Sequence, residues 1–276
     1  MSRFIDRLDE TARGNRSLLG VNLDPWGPSM PIDDIAAFNR AIIDATHDLV
    51  CVFKPNSAFY EACGPDGLRA LQDTVEAAHA KGIPVILDAK RGDIGNTSVA
   101  YAKAAFEVWG ADALTVSPYM GGDSIEPFLA YEDRAAFVLT RTSNPGAADI
   151  EELTVQSPDG ARPLYEHVAI AAAGWNTRGN VGLVVGATAP DELARVRGLA
   201  PGMPILVPGV GAQGGDLAAS VRSGVDAHGR RAVIAVGRQV LYASKASDYA
   251  KAARVEAGRL RDAINAELDA MGLGWS

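Results

Sequence analysis

Cysteine is scarce in this chain of 276 residues, which holds only Cys51 and Cys63. Two cysteines exclude a disulfide framework and a zinc cluster, and they suit a reducing compartment. Basic residues are outnumbered too. There are 26 Lys and Arg against 34 Asp and Glu, a formal net charge of −8. That balance argues against a nucleic-acid binder. Long apolar runs are absent, and stretches such as 181–187 are far too short to span a bilayer. The opening residues 1–14 are charged, with Phe4, Ile5 and Leu8 at helical spacing, and lack the unbroken apolar core of a secretory signal. The four histidines, His47, His79, His167 and His228, lack metal-ligand spacing and read as structural or exposed. There is no internal repeat, low-complexity tract or linker. Hydrophobic residues at 47% and charged residues at 22% describe an ordinary globular chain. The expectation is one domain over residues 1–276, in the cytoplasm.

What the sequence does have is alternation. Eight short, nearly continuous apolar runs occur at 18–24, 49–55, 84–90, 113–117, 136–142, 181–186, 205–208 and 232–237. Runs apolar at every position mark strands covered on both faces, as in parallel sheets. Helical patterns separate them at 32–47, 67–81, 97–109, 164–174, 190–198 and 216–223. Strand and helix in alternation build βαβ units. Eight such units predict an α/β fold of the (β/α)8 TIM-barrel type. An open doubly wound sheet is the alternative, and the count of eight weighs against it. Residues 144–163 show no periodicity and read as an extended loop after the fifth strand, either at the mouth of an active site or as a tolerated insertion. Residues 245–268 read as a long outer helix.

Barrel active sites sit at the C-terminal ends of the strands. Five of the eight runs end in polar or charged residues: Asp24, Lys54, the Asp88-Ala89-Lys90 run, Ser143 and Arg238. Side chains alternate along a strand, so Asp88 and Lys90 share a face, roughly 7 Å apart at Cα. A barrel sets Lys54 beside them. Each lysine then keeps an aspartate ionised, and each aspartate keeps a lysine protonated. A single Asp-x-Lys would be read as a structural salt bridge. A cluster of lysines and aspartates at strand ends points to function. Asp93 has a second reading, as a residue favouring the N-terminus of the following helix.

A phosphate cradle is the second candidate. The seventh run leads into Pro208-Gly209-Val210-Gly211-Ala212-Gln213-Gly214-Gly215, and the eighth ends in Gly237-Arg238. Loops after strands seven and eight commonly bind phosphate in these barrels. Glycines let backbone N–H groups approach an anion, and Arg238 adds a bidentate cation. Cys51 is out of phase with Lys54 and reads as core. Trp26, Trp109 and Trp175 read as packing residues.

These residues carry a resemblance. Asp88-x-Lys90-x-x-Asp93-Ile94-x-x-Thr97 resembles the signature of the orotidine 5′-phosphate decarboxylases. Lys54, the Thr142-Ser143-Asn144-Pro145-Gly146 segment, the 208–213 stretch and Gly237-Arg238 match in the same order. The resemblance runs from Asp24 to Arg238 and is closest to the longer-chain bacterial-type branch. It implies decarboxylation of orotidine 5′-monophosphate to UMP and CO2, the last step of de novo UMP synthesis, with no metal and no organic cofactor. It implies that Lys90 protonates C6 and stabilises the developing carbanion. It implies that Asp88 would lie near the departing carboxylate, that Lys54 would hold Asp88 and the ribose, and that Asp24 would bind a ribose hydroxyl. On the same resemblance, Asp93, Ile94 and Thr97 would come from the partner chain of a homodimer. Ser143 would bind the pyrimidine amide. Gln213, Arg238 and the Gly237 N–H would bind the 5′-phosphate, with Pro208 in the same substrate-binding set.

Two other readings compete. A magnesium-dependent sugar-phosphate decarboxylase or synthase of the same superfamily would resemble this chain in its Asp-x-Lys-x-x-Asp, but it would carry an acidic metal ligand where Lys54 stands. A non-catalytic nucleotide-phosphate-binding barrel would need the glycine-rich loop and not the Lys/Asp tetrad.

Overall fold

The computed structural model describes residues 2–158, 160–211 and 214–275. Among these residues ten strands are interspersed with helices. The order is α1 (Phe4–Gly14), β1 (Leu19–Leu23), α2 (Ile35–Thr46), β2 (Val52–Pro55), α3 (Ser57–Glu61), α4 (Gly64–His79), β3 (Ile86–Arg91) and α5 (Gly95–Lys103). Then come β4 (Ala113–Val116), α6 (Gly122–Leu129), β5 (Ala135–Arg141), β6 (Thr154–Ser157), β7 (Gly160–Pro163), α7 (Leu164–Trp175) and β8 (Val181–Val185). The chain finishes with α8 (Pro190–Leu199), β9 (Ile205–Pro208), α9 (Leu217–Gly224), β10 (Ala232–Val236), α10 (Arg238–Leu241) and α11 (Tyr249–Ala270).

Eight of the strands are parallel neighbours in the order β2-β1-β10-β9-β8-β5-β4-β3. Parallel bridges Phe53↔Val85 and Asn56↔Asp88 join β2 to β3 and close the ring. The fold is a (β/α)8 barrel, and all eight apolar runs in the sequence are barrel strands. Strands such as Val181–Val185 and Ala232–Val236 are buried at every position. That is the signature of a sheet covered inside and out. Closure has a direct consequence for chemistry. Asn22 pairs in register with Lys54, and Asn56 bridges to Asp88, so the ends of β1, β2 and β3 lie side by side.

Several elements differ from the sequence reading. Residues 144–163 are not a structureless loop. They hold a 3-10 turn at Pro145–Asp149 and the antiparallel hairpin β6–β7. The pattern at 97–109 divides into α5 and a π-helical stretch, Ala104–Val108. Helix α6 escaped notice because Gly122 opens it and Pro127 lies inside it, two residues that weaken a helical pattern. Among the described residues no helix is long and apolar enough to cross a membrane.

Helix α1 buries Phe4, Ile5, Leu8 and Ala12 and plugs the N-terminal end of the barrel. Phe4 meets Phe137 of β5 edge-on at 5.9 Å. Beside it, the buried Asp112 just before β4 gathers four donors. These are Arg7 at 2.8 Å, Arg134 at 2.9 Å, His79 at 2.7 Å and the Val85 N–H at 2.8 Å. One carboxylate thus ties α1 and α4 to the starts of β3 and β4, and fixes the relative height of the two strands.

Burial works to raise the Asp112 pKa, but the His79 hydrogen bond and the neighbouring positive charges outweigh it and hold it below the ordinary value. A depressed carboxyl stabilises the fold above its unfolded pKa, and the contribution is lost as pH falls through the folded value. Asp112→Asn is therefore expected to lower stability at neutral pH by about 3 kcal/mol, the scale of one partner removed from a buried ion pair. Urea unfolding followed by tryptophan fluorescence measures this. The gap between variant and parent should narrow on acidification, and a constant gap would disprove the role.

Candidate active site

The strand ends surround a cavity of about 720 Å³. At its floor, the Asp88 carboxylate lies between two ammonium groups. Lys54 Nζ donates to Oδ2 at 2.7 Å and Lys90 Nζ to Oδ1 at 2.6 Å. Lys54 is 2% exposed and Asp88 8%, so water screens this pair little. The Thr115 hydroxyl of β4 adds a third donation to Asp88, at 2.9 Å, and the Asn56 amide a fourth, at 3.4 Å. Asp24 completes the cluster, accepting from the Asn56 N–H at 3.1 Å.

The charges set each other's titration. Burial alone would raise the Asp88 pKa, but Lys54 and Lys90 reverse it and hold the carboxyl well below the usual range. Burial alone would deprotonate Lys54, but Asp88 and Asp24 hold it above the ordinary lysine value. Asp24 moves the other way. Its burial pushes the carboxyl up against the pull of Lys54, and Asp88 adds repulsion.

Lys90 reaches Asp88 by a route that simple alternation does not describe. The β3–β4 register slips between Leu87 and Arg91, and Lys90 adopts φ +47°. A left-handed lysine costs on the order of 1–3 kcal/mol. The slip also removes its N–H from the ladder, and the Thr115 hydroxyl accepts that N–H at 2.9 Å. Thr115 therefore serves both the backbone and the carboxylate of the Asp88-x-Lys90 unit. In the sequence it is one more β-branched residue in an apolar strand, with no signal to single it out.

At the opposite wall, Gly209 (φ +101°), Gly211 (φ +74°) and Gly214 (φ +86°) carry the loop after β9. Gly211 is favoured by its positive φ, and a Cβ there would also require the end of the Gln239 side chain to move. Gly237 and Arg238 line the same wall. The exposed Arg238 guanidinium makes no ion pair among the described residues. Pro208 and Ser143 also line the cavity. Gln213 lies outside the described residues.

Three sequence candidates are not brought to this cavity. Asp93, Ile94 and Thr97 follow β3 and are absent from the cavity's described lining. The Asp93 carboxylate accepts the Ile94 N–H at 2.8 Å, just before α5, and α5 begins without a side-chain cap. Trp26 corrects another expectation. It is not a packing residue but 56% exposed, standing at the cavity mouth edge-on to Phe59. Cys51 is buried, as expected. Among the described residues no group of three or more His, Cys, Asp or Glu could hold a metal ion. The carboxylates of the cavity are instead interleaved with lysines.

Lys90→Met is expected to move the Asp88 carboxyl back toward the ordinary range, because one of its two ammonium neighbours is gone. A 13C titration of the Asp88 carboxyl resonance measures the change. An unmoved resonance would show that Lys54 alone sets the charge.

The family model described as "Orotidine 5'-phosphate decarboxylase / HUMPS family" matches residues 29–253. The chain is 51% identical over 272 residues to the orotidine 5′-phosphate decarboxylase of Roseiflexus sp. (strain RS-1), over 96% of this chain and 98% of that protein. Among solved structures it resembles Leishmania donovani OMP decarboxylase with a TM-score of 0.84 at 46% identity, over 97% of this chain and 99% of that one. It resembles Leishmania donovani UMP synthase with a TM-score of 0.87 at 47% identity, over 97% of this chain but only 56% of that longer one.

Proposed function

The chain belongs to the orotidine 5′-phosphate decarboxylase family, and we propose that the Lys54–Asp88–Lys90 cluster is where it acts. The reaction is decarboxylation of orotidine 5′-monophosphate to UMP and CO2. The observation that carries the assignment is a lysine ammonium held 2.6 Å from a buried carboxylate at the floor of the cavity.

The chemistry follows from charge. The bond between C6 and the substrate carboxylate breaks and leaves its electron pair on C6. Lys90 Nζ gives that carbon a proton, CO2 departs, and solvent reprotonates the half-exposed amine. Until transfer, the ammonium stabilises the carbanion as it forms. Asp88 keeps Lys90 charged and aimed, and lies next to the departing carboxylate. Lys54, buried between Asp88 and Asp24, fixes both carboxylates. It also reaches the ribose, and Asp24 takes a ribose hydroxyl. Ser143 takes the pyrimidine amide. Arg238, the Gly237 N–H and Gln213 hold the 5′-phosphate, with Pro208 at the start of the same loop. Phosphate contacts remote from C6 supply binding energy that can be used at the reacting carbon.

Lys54 also speaks against the metal-dependent sugar-phosphate reading, since a buried ammonium would repel a divalent cation. The expected result is loss of orotidine 5′-monophosphate absorbance with purified protein, unchanged after exhaustive chelation. Lys90→Ala should lower turnover by at least roughly a thousandfold. Activity lost on chelation and restored by Mg²⁺ would favour the sugar-phosphate reading.

The site is completed by a second copy of the chain. Asp93, Ile94 and Thr97 stand outside their own cavity, on a surface that carries exposed apolar groups. Ile94 is 58% exposed and Tyr119 88%. Met120 joins the two loops, with its Cε 3.6 Å from where a Cβ on Gly92 would stand. Such a patch suits a two-fold interface, and Asp93 then reaches the partner's cavity. The two free thiols fit a cytoplasmic setting. Refolding Lys90→Ala with Asp93→Ala should restore activity to about a quarter of sites, because half of randomly paired dimers are mixed and each has one intact site. Mixed dimers without activity would assign Asp93 to its own chain.

A further inference from the structure

We propose that Glu151, in the segment after β5, is a positioning residue that holds the pyrimidine-facing stretch Thr142-Ser143-Asn144 in place. The proposal rests on the decarboxylase reading above and gives the inserted segment a task within it.

Both oxygens of Glu151 are committed to Thr142. Oε2 accepts the Thr142 N–H at 2.8 Å, and Oε1 lies 2.7 Å from the Thr142 hydroxyl. The hydroxyl also lies 2.7 Å from Asn144 Oδ1. It has a single proton, and the charged acceptor is favoured. Arg141 approaches Glu151 at 3.7 Å and bonds the Thr142 carbonyl at 2.5 Å. Strand β5 ends at Arg141, so beyond it Thr142 has no ladder to fix it. A carboxylate that takes both its N–H and its hydroxyl replaces the missing strand partner.

Glu151 is itself anchored. Its N–H donates to the Ala147 carbonyl at 2.8 Å, and its carbonyl accepts the Tyr165 N–H at 2.9 Å. Ala147 and Tyr165 are buried, so the carboxylate stands on a fixed base between the 3-10 turn and α7. Ser143 is gripped from the remaining sides. The Thr188 hydroxyl donates to its carbonyl at 3.1 Å. Gly186 packs so closely beneath it that a Cβ there would stand 2.7 Å from the Ser143 Cα. The contacts from Gly186 and Thr188 act on Ser143, and Glu151 holds Thr142 together with the Arg141 bond to its carbonyl. The part of the ligand affected is the base, because the phosphate wall at Gly237 and Arg238 belongs to other elements.

The test compares ligands with and without the base. In Glu151→Ala, kcat/KM for orotidine 5′-monophosphate should fall by about thirtyfold, the scale of a lost charge-assisted hydrogen bond. Inhibition by ribose 5-phosphate, which has no pyrimidine, should stay within about twofold of the parent. Glu151→Gln should recover most of the loss, since its Oε1 can accept the N–H and its Nε2 can donate to the hydroxyl. Thr142→Val, which removes only the hydroxyl, carries the same comparison should Glu151→Ala not fold, and a selective loss of about tenfold is expected. An unaffected variant, or equal losses with both ligands, overturns the positioning role. A parent protein that does not turn over orotidine 5′-monophosphate overturns the decarboxylase reading, and the proposal with it.

Discussion

One carboxylate shared by two ammonium groups governs the rest of this structure. Asp88 sits at the end of β3 with Lys54 and Lys90 on its two oxygens, in a place where water does little to soften either attraction or repulsion. Neither of the two buried charges, Lys54 and Asp88, is tolerable there alone. Lys54 lacks solvent, and Asp88 without a cation would take up a proton. The barrel resolves this by bringing β2 and β3 together at its closing seam, so that the charges neutralise one another in pairs. Asp24 places a second carboxyl beside Lys54. A cation held in this way is preorganised, and little reorganisation is left for a reaction that uses it.

The remaining architecture serves that placement at two levels. Below, Asp112 fixes the heights of β3 and β4, which decides whether Thr115 stands opposite the Asp88-x-Lys90 unit. Above, the segments after β5, β9 and β10 supply the walls of the cavity. The floor is made of strand ends, where neighbours on both sides fix every residue. The walls are made of loops and depend on side-chain clamps and close backbone contacts, as at Glu151 and Gly186. A division between rigid chemistry and loop-borne recognition is what the barrel permits.

How much of this was visible beforehand depended on the kind of signal. Apolar runs such as Val181–Val185 announce themselves because both faces are buried, and a cluster of charges at the ends of several such runs outweighs the reading of a single salt bridge. Lys54, Asp88 and Lys90 were found for that reason. Thr115 was not, since its hydroxyl is the exception in a strand where threonine is ordinary. Glu151 was not, since its partner Thr142 lies across a turn whose geometry no periodicity encodes. Trp26 was misread because bulk and apolarity suggest burial, and position at a cavity mouth is a tertiary fact. Asp93 could be picked out by its spacing from Lys90, but whether it faces its own cavity depends on how the chain leaves β3.

The bend at Lys90 has a bearing on how such a site could be copied. The triplet Asp88-Ala89-Lys90 on a regular strand would set the two side chains on one face, roughly 7 Å apart at Cα. The left-handed turn at Lys90 brings the ammonium back onto its neighbour, and the hydroxyl of β4 makes that turn tolerable. Transplanting the three residues into another barrel would carry over the letters and leave behind the geometry of the contact. The heritable unit is a bulge with a threonine beside it, spread over two strands that lie 25 residues apart in the chain.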